Sequence, residues 1–460
     1  MGNTPIEALI KVMEKFKWSV SSLNYMPTSH QLERWAMIIL EGMSGPTRLY
    51  HSHDHVIDLA EGMDPIGVVA ALFHDIVYYQ VDGGVPPFLH SFIYPYFNSV
   101  NGILFTKEMD EPDFIYDATL DLFGFSQGQQ LLLAKGQNEF LSALLALKVM
   151  SEVLSKKELL MVCVCIEATI PFRAKTNAIE VLEKRLNYVN VKHSLGIERS
   201  ELNAGIKRAV ILANKDVGSF SHEEVALFLE ETWQLLPETN TRLITSSMYT
   251  IREYRNALFK MERFLSNLQA ESIYCSYDGH PVVAEIKKFT ECAQNNLRLG
   301  CYYLQVKLYT VAILEALSDI TGGDVPLIFF MGDLRHESSI PKMELFLDKK
   351  RISLPEAKDK NPVITDLLTF GRASDSVYDT KASPLSAFLY DFLGEKKIIQ
   401  HYQEAKDLFL GKLSAENFLL NQNEELVDSI ANACAQVAYT RKTRLESIRN
   451  ILDRIRPQSA

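Results

Sequence analysis

The chain has 460 residues, 47% of them of apolar type, and a formal net charge of −11. That is apolar material enough for a packed core and length enough for two or three domains. The negative balance, with no long basic run, argues against non-specific nucleic-acid binding. Cys163, Cys165, Cys275, Cys292, Cys301 and Cys434 form no Cys-x-x-Cys pair. A reduced, cytoplasmic chain with buried free thiols is therefore expected. The opening Met-Gly-Asn-Thr-Pro-Ile-Glu has neither the basic nor the apolar region of a signal peptide, and Ile6 stands where a myristoylation signal needs Ser or Thr. No apolar run is long enough to span a membrane.

Taken in order, residues 5–23 read as a helix with Ile6, Leu9, Ile10, Met13, Phe16 and Trp18 on its apolar side. Residues 29–43 read as a second, with Leu32, Trp35, Met37, Ile38 and Leu40. Ser44-Gly-Pro-Thr47 breaks it, and Thr47 can cap a helix over 48–63. Arg48, His51, His55, Asp58 and Leu59 would share one stripe of that helix. Asp64-Pro65 is an N-cap followed by a first-turn proline, opening a helix to about Gln80 that contains His74-Asp75. Gly67 suggests close packing beneath it. Imidazole nitrogens and carboxylate oxygens on separate helices form a ligand set for zinc, iron or manganese, and positions left open to water would make it catalytic.

After the loop at 82–87 comes an aromatic segment, Phe88, Phe92, Tyr94, Tyr96 and Phe97, which reads as core or as a wall over the site. Residues 138–170 read as two helices, ending at Thr169-Ile-Pro171. Residues 200–219 read as a helix capped by Ser200, with small Ala209 and Ala213 leading to Asp216. Strand patterns are almost absent, and no Gly-rich phosphate loop occurs. The fold class expected is all-α. The second half, from 239, reads as long helices over 240–268 and 281–321. Val325–Met331 is an apolar run that could be strand, turn or docking segment, and 371–384 is the best flexible linker. A basic helix over 425–456 carries Arg441, Lys442, Arg444, Arg449, Arg454 and Arg456, a solvated face or a contact in a homodimer.

The ordered elements Tyr50-His51-Ser52, His55, Asp58, then Ala70-Ala-Leu-Phe-His-Asp-Ile76, then Asp216 resemble the HD-domain metal-dependent phosphohydrolases. The first of them is similar to the Tyr-His-Asn-x-x-His-x-x-Asp form of cyclic-nucleotide phosphodiesterases, with Ser52 in place of Asn. The resemblance covers residues 30 to 235, and 1–238 is expected to fold as the catalytic domain. It implies His55, His74, Asp75 and Asp216 as ligands of a divalent ion (Mn, Fe, Zn or Mg), with Asp75 able to bridge a second. It also implies His51 as general acid and Glu167 and Thr169 as pocket residues. Asp58 could orient an imidazole, and Arg48, Arg173 and Lys215 are candidate phosphate contacts. His53 and Asp54 fall on the other face, and His90 and His193 read as structural. The activity implied is hydrolysis of a phosphate ester, nucleotides included. The alternatives are a nucleotide-sensing regulatory protein and an HD-type di-iron oxygenase, which would need two further histidines.

Overall fold

The computed structural model describes residues 3–173, 177–246, 248–332 and 340–455. They form an all-α fold with one two-stranded antiparallel sheet. Met1, Gly2 and Arg456, named above, lie outside the described residues. No described helix is long and apolar enough to cross a membrane. Two compact units divide the chain, and the division is not at 238. The first holds Met1–Ser221 and Leu268–Gln294; the second holds His222–Asn267 and Asn295–Ala460.

The principal helices of the first unit are α1 (Pro5–Ser22), α2 (Ser29–Gly42), α3 (His53–Leu59), α4 (Pro65–Phe73), α5 (Phe114–Phe123), α6 (Gln137–Met150), α7 (Lys156–Ala168), α8 (Ala178–Lys192) and α9 (Arg199–Asp216). Their starts follow local chemistry. Thr4 with Glu7, Thr28 with Gln31 and Ser155 with Glu158 are capping boxes. The Asp64 side chain accepts from Gly67 N, and Pro65 follows it. The centre is α7, in which every residue from Leu159 to Ala168 is buried. A helix apolar on all sides shows no periodicity, because no side of it meets water. It packs against α4, α6 and α9.

Two expectations for this region change. On α1 the buried face is Ala8, Val12, Phe16, Ser19 and Val20, while Ile6, Ile10 and Trp18 are exposed. The smaller residues let α1 lie close to its neighbours, and Phe16 meets Trp35 and Phe73 with ring centroids at 5.6 and 5.8 Å. The aromatic segment leads into a hairpin, β1 (Phe97–Val100) and β2 (Ile103–Thr106), which turns at Asn101-Gly102 with positive φ at both. Its Tyr96 is buried and donates to Asp113.

The second unit is built on Val225–Thr239, Ile251–Asn267, residues 295–321 of the helix Val283–Thr321, and Pro384–Phe409, which kinks at Gly394 (φ 69°). Pro237 lies inside the first of these and does not end it. The run 325–331 is a short helix, Leu327–Met331. The stretch 371–384 is no linker. Arg372, Tyr378, Asp379 and Ser383 within it are buried. Asp379 accepts from Trp233 Nε1 at 2.8 Å and Tyr254 Oη at 2.7 Å, and Lys307 Nζ lies 3.3 Å away. Burial alone would raise the Asp379 pKa; Lys307, Arg372 and the two hydrogen bonds outweigh it and hold the carboxyl below its ordinary range. Several of the basic C-terminal residues are engaged within the chain. Arg441 donates to the Ser318 and Gly323 carbonyls, Arg444 to that of Thr321, and Arg449 pairs with Glu424.

Candidate metal centre

Three segments converge. The α3 helix is shorter than expected, starting at His53 after Ser52, and Thr47 does not cap it. It buries Val56, Ile57 and Leu59, which turns His55 to the site. The wholly apolar α4 ends at Phe73, so His74 and Asp75 stand at its mouth rather than within a longer helix. The third segment is the end of α9. A Cβ on Gly205 would stand 2.4 Å from Met161 Sδ, so glycine there lets α9 lie against α7. Asp216 is the last residue of α9.

One ligand atom from each of His55, His74, Asp75 and Asp216 lies within 4.8 Å of all the others. Asp216 Oδ1 is 3.1 Å from His55 Nε2 and 3.3 Å from His74 Nε2; Asp75 Oδ2 is 2.8 Å from His74 Nε2. His74 is fully buried, and its Nδ1 donates to the Ala71 carbonyl at 2.9 Å. That bond puts a proton on Nδ1 and turns Nε2 toward the carboxylates, the orientation that metal-binding histidines take. The residues therefore fit a divalent cation: two imidazoles and two carboxylates, gathered with their acceptor atoms facing inward.

Electrostatics agree with this donor set. Burial lowers the His74 pKa, but the carboxylates of Asp75 and Asp216 outweigh it and hold it well above the imidazole range. Burial raises Asp216, but His74 and the bond from His55 bring it to about 2, and Asp75 is lowered further by His74 and His51. A proton and a metal ion compete for the same lone pairs here.

His51 precedes α3 rather than sharing its face with His55. It still reaches the site, with Nε2 3.8 Å from Asp75 Oδ2 and its ring 6.0 Å from that of His55. Asp58 is exposed. His53 pairs with Asp54, which also accepts from Asn3. His90 bonds the Val85 carbonyl, and His193 lies edge-on to Phe114, so neither adds to the cluster.

The three cations expected on phosphate each donate to main-chain carbonyls. Lys215 donates to the carbonyls of Asp58, Leu59 and Glu61, at the C-terminal end of α3. Arg173 donates to the Glu167 carbonyl at 2.8 Å and to its carboxylate at 2.6 Å, at the end of α7. Arg48 is buried, binding the Asp75 and Ile76 carbonyls and the Asp82 carboxylate. Helix ends leave carbonyls without partners, and these side chains supply the donors. Glu167 is buried against Arg173, with Arg185 3.7 Å away, and Thr169 donates to the Ile166 carbonyl.

Beside the Asp216 end of α9 opens a cleft of about 390 Å³, lined among others by Thr169, Phe172, Arg173, Ala213, Val217 and Tyr274. Its far wall is the 268–294 segment, which Asn214 holds through both amide atoms to Cys275 at 2.8 and 2.9 Å. Glu139 was not anticipated. Burial, with Asp75 and Asp216 adding to it, pushes its carboxyl up to about 7. An acid in the first turn of the largely apolar α6 was the available signal. The six cysteines are free thiols. No family model, curated protein or solved structure matches the chain.

Proposed function

We propose that the protein is a metal-dependent phosphohydrolase, acting in the cytoplasm on a small phosphate ester of the nucleotide type. The observation that carries this is the convergence of His55, His74, Asp75 and Asp216 within 4.8 Å from three separate segments, in the order of the HD-domain signature. A divalent ion bound there would supply Lewis-acid activation of water and offset phosphate charge.

The protein's own groups do the rest. His74, fixed through Ala71, presents Nε2, while Asp75 and Asp216 supply the negative charge that selects a cation. His51, beside Asp75 and outside the four-residue set, is placed to protonate the leaving oxygen. The neighbouring cleft, with Phe172 and Tyr274 in its walls, offers room for the organic part of the ester. With Arg48, Arg173 and Lys215 engaged at helix ends, phosphate recognition falls to the metal rather than to these side chains.

The test is metal analysis of the purified protein followed by a panel of phosphomonoesters and phosphodiesters. The expected result is a bound transition metal and hydrolysis that stops on chelation and returns with metal. A protein that takes up no divalent ion, or hydrolyses none of the panel with metal present, would defeat the reading.

A further inference from the structure

We propose that Arg48 is a positioning residue for the metal centre, joining the loop that carries His51 to the turn that carries His74 and Asp75. The inference rests on the metal-centre reading above. The Arg48 side chain is 0% exposed. Its Nη1 donates to the Asp75 carbonyl at 2.7 Å and its Nη2 to the Ile76 carbonyl at 3.2 Å. Nε and Nη2 donate to Asp82 at 2.9 and 2.6 Å. The guanidinium centre also lies 5.7 Å from the Tyr78 ring. Room for the pair is kept by Gly45, where a Cβ would stand 2.8 Å from Asp82 Oδ1.

The geometry explains why arginine is needed. Past the end of α4 the main chain turns, and the Asp75 and Ile76 carbonyls have left the helical ladder. A planar fork can hold two carbonyls and a carboxylate at once; a lysine ammonium, a single point of charge, cannot match that fixed arrangement. The Asp82 carboxylate neutralises the buried cation. The fork in turn fixes the main chain at Asp75, and so the direction in which its carboxylate meets His74. Displacing that main chain would move one of four ligands while leaving its identity intact.

The experiment compares Co²⁺ binding, read from the visible spectrum, in wild type, Arg48→Lys and Asp82→Asn. In Arg48→Lys, half-saturation should move to a roughly 10- to 100-fold higher Co²⁺ concentration, as for loss of groups that orient ligands. Asp82→Asn removes the buried carboxylate but keeps the donors to Asp75 and Ile76; it should bind Co²⁺ within about twofold of wild type while melting at a lower temperature. The paired variant Arg48→Gln/Asp82→Asn removes both charges together, carries the same expectation as Arg48→Lys, and covers the case in which lysine does not fold. Wild-type affinity and spectrum in Arg48→Lys or in the paired variant would overturn the proposal, as would equal losses in Arg48→Lys and Asp82→Asn. A wild type that binds no Co²⁺ would instead overturn the metal-centre reading beneath it.

Discussion

Each unit buries a cluster of charge, and the two clusters are built on opposite principles. In the second unit Asp379 accepts from Trp233 and Tyr254 and faces Lys307 and Arg372, whose guanidinium centre lies 4.2 Å from the Trp233 ring centroid. The carboxylate is satisfied by donors that the fold itself provides. In the first unit, His55, His74, Asp75 and Asp216 bring four acceptor-bearing groups within 4.8 Å. Coordinating atoms gathered in this way await a cation, whether protons or a metal. The carboxylates of the first cluster thus face imidazoles and one another, groups that can share a metal ion, whereas Asp379 faces Trp, Tyr and Lys donors.

The sharpest way to break this contrast is to remove one of the proposed ligands. Asp75→Ala and Asp216→Ala should each stay folded, lose bound metal on elemental analysis, and lose about a thousandfold or more in hydrolysis, the several kcal/mol a metal ion supplies. Unchanged stoichiometry in both would put the ion elsewhere. His51→Ala should keep the metal but lose roughly a hundred- to ten-thousandfold in rate on esters with poor leaving groups, and less on an activated aryl phosphate. Should it release the metal as His55→Ala does, His51 is a ligand.

The second cluster should respond in stability alone. Lys307→Met leaves Asp379 without its nearest cation and should cost about 3–5 kcal/mol in urea unfolding, with metal content unchanged. Loss of metal in that variant would show that the clusters are coupled. The depressed carboxyl also sets a sign. Its contribution is complete above the ordinary value of 3.8 and is lost as pH falls through the lower folded value. Wild-type stability should therefore drop on acidification below about pH 4, more steeply than that of Asp379→Asn. The smallest effect belongs to Gly371, at φ 93°, where a Cβ would stand 2.5 Å from the Lys381 carbonyl carbon. Gly371→Ala should cost on the order of 1–3 kcal/mol, a loss that a flexible linker would not show.

What the sequence disclosed depends on how far each property reaches along the chain. The gathering of His55, His74, Asp75 and Asp216 into a group that could hold a metal ion was legible because these residues carry their chemistry in type and order, and the all-α class because helical spacing recurs throughout. The carbonyl bonds of Arg48, Arg173 and Lys215 were not legible, because a sequence displays a cation but not the carbonyl it will meet. Residues 371–384 look flexible by composition, yet they are held by Trp233, Tyr254 and Lys307, partners distant in sequence. Glu139 was missed for the same reason: its burial and the carboxylates that act on it come from other elements. The short α3 shows a further limit, since the polar stripe suggested a helix from Arg48 while its side chain turns inward to the 75–82 region.

The return of residues 268–294 to the first unit sets a timetable for biosynthesis. Asp216 leaves the ribosome well before Cys275, the residue that Asn214 holds in the wall beside it. During that interval the nascent chain carries all four residues of the candidate metal centre but an unfinished cleft. A fragment ending at 238 would reproduce that interval permanently, and shortened proteins meant to isolate the first unit must therefore carry the later segment as well.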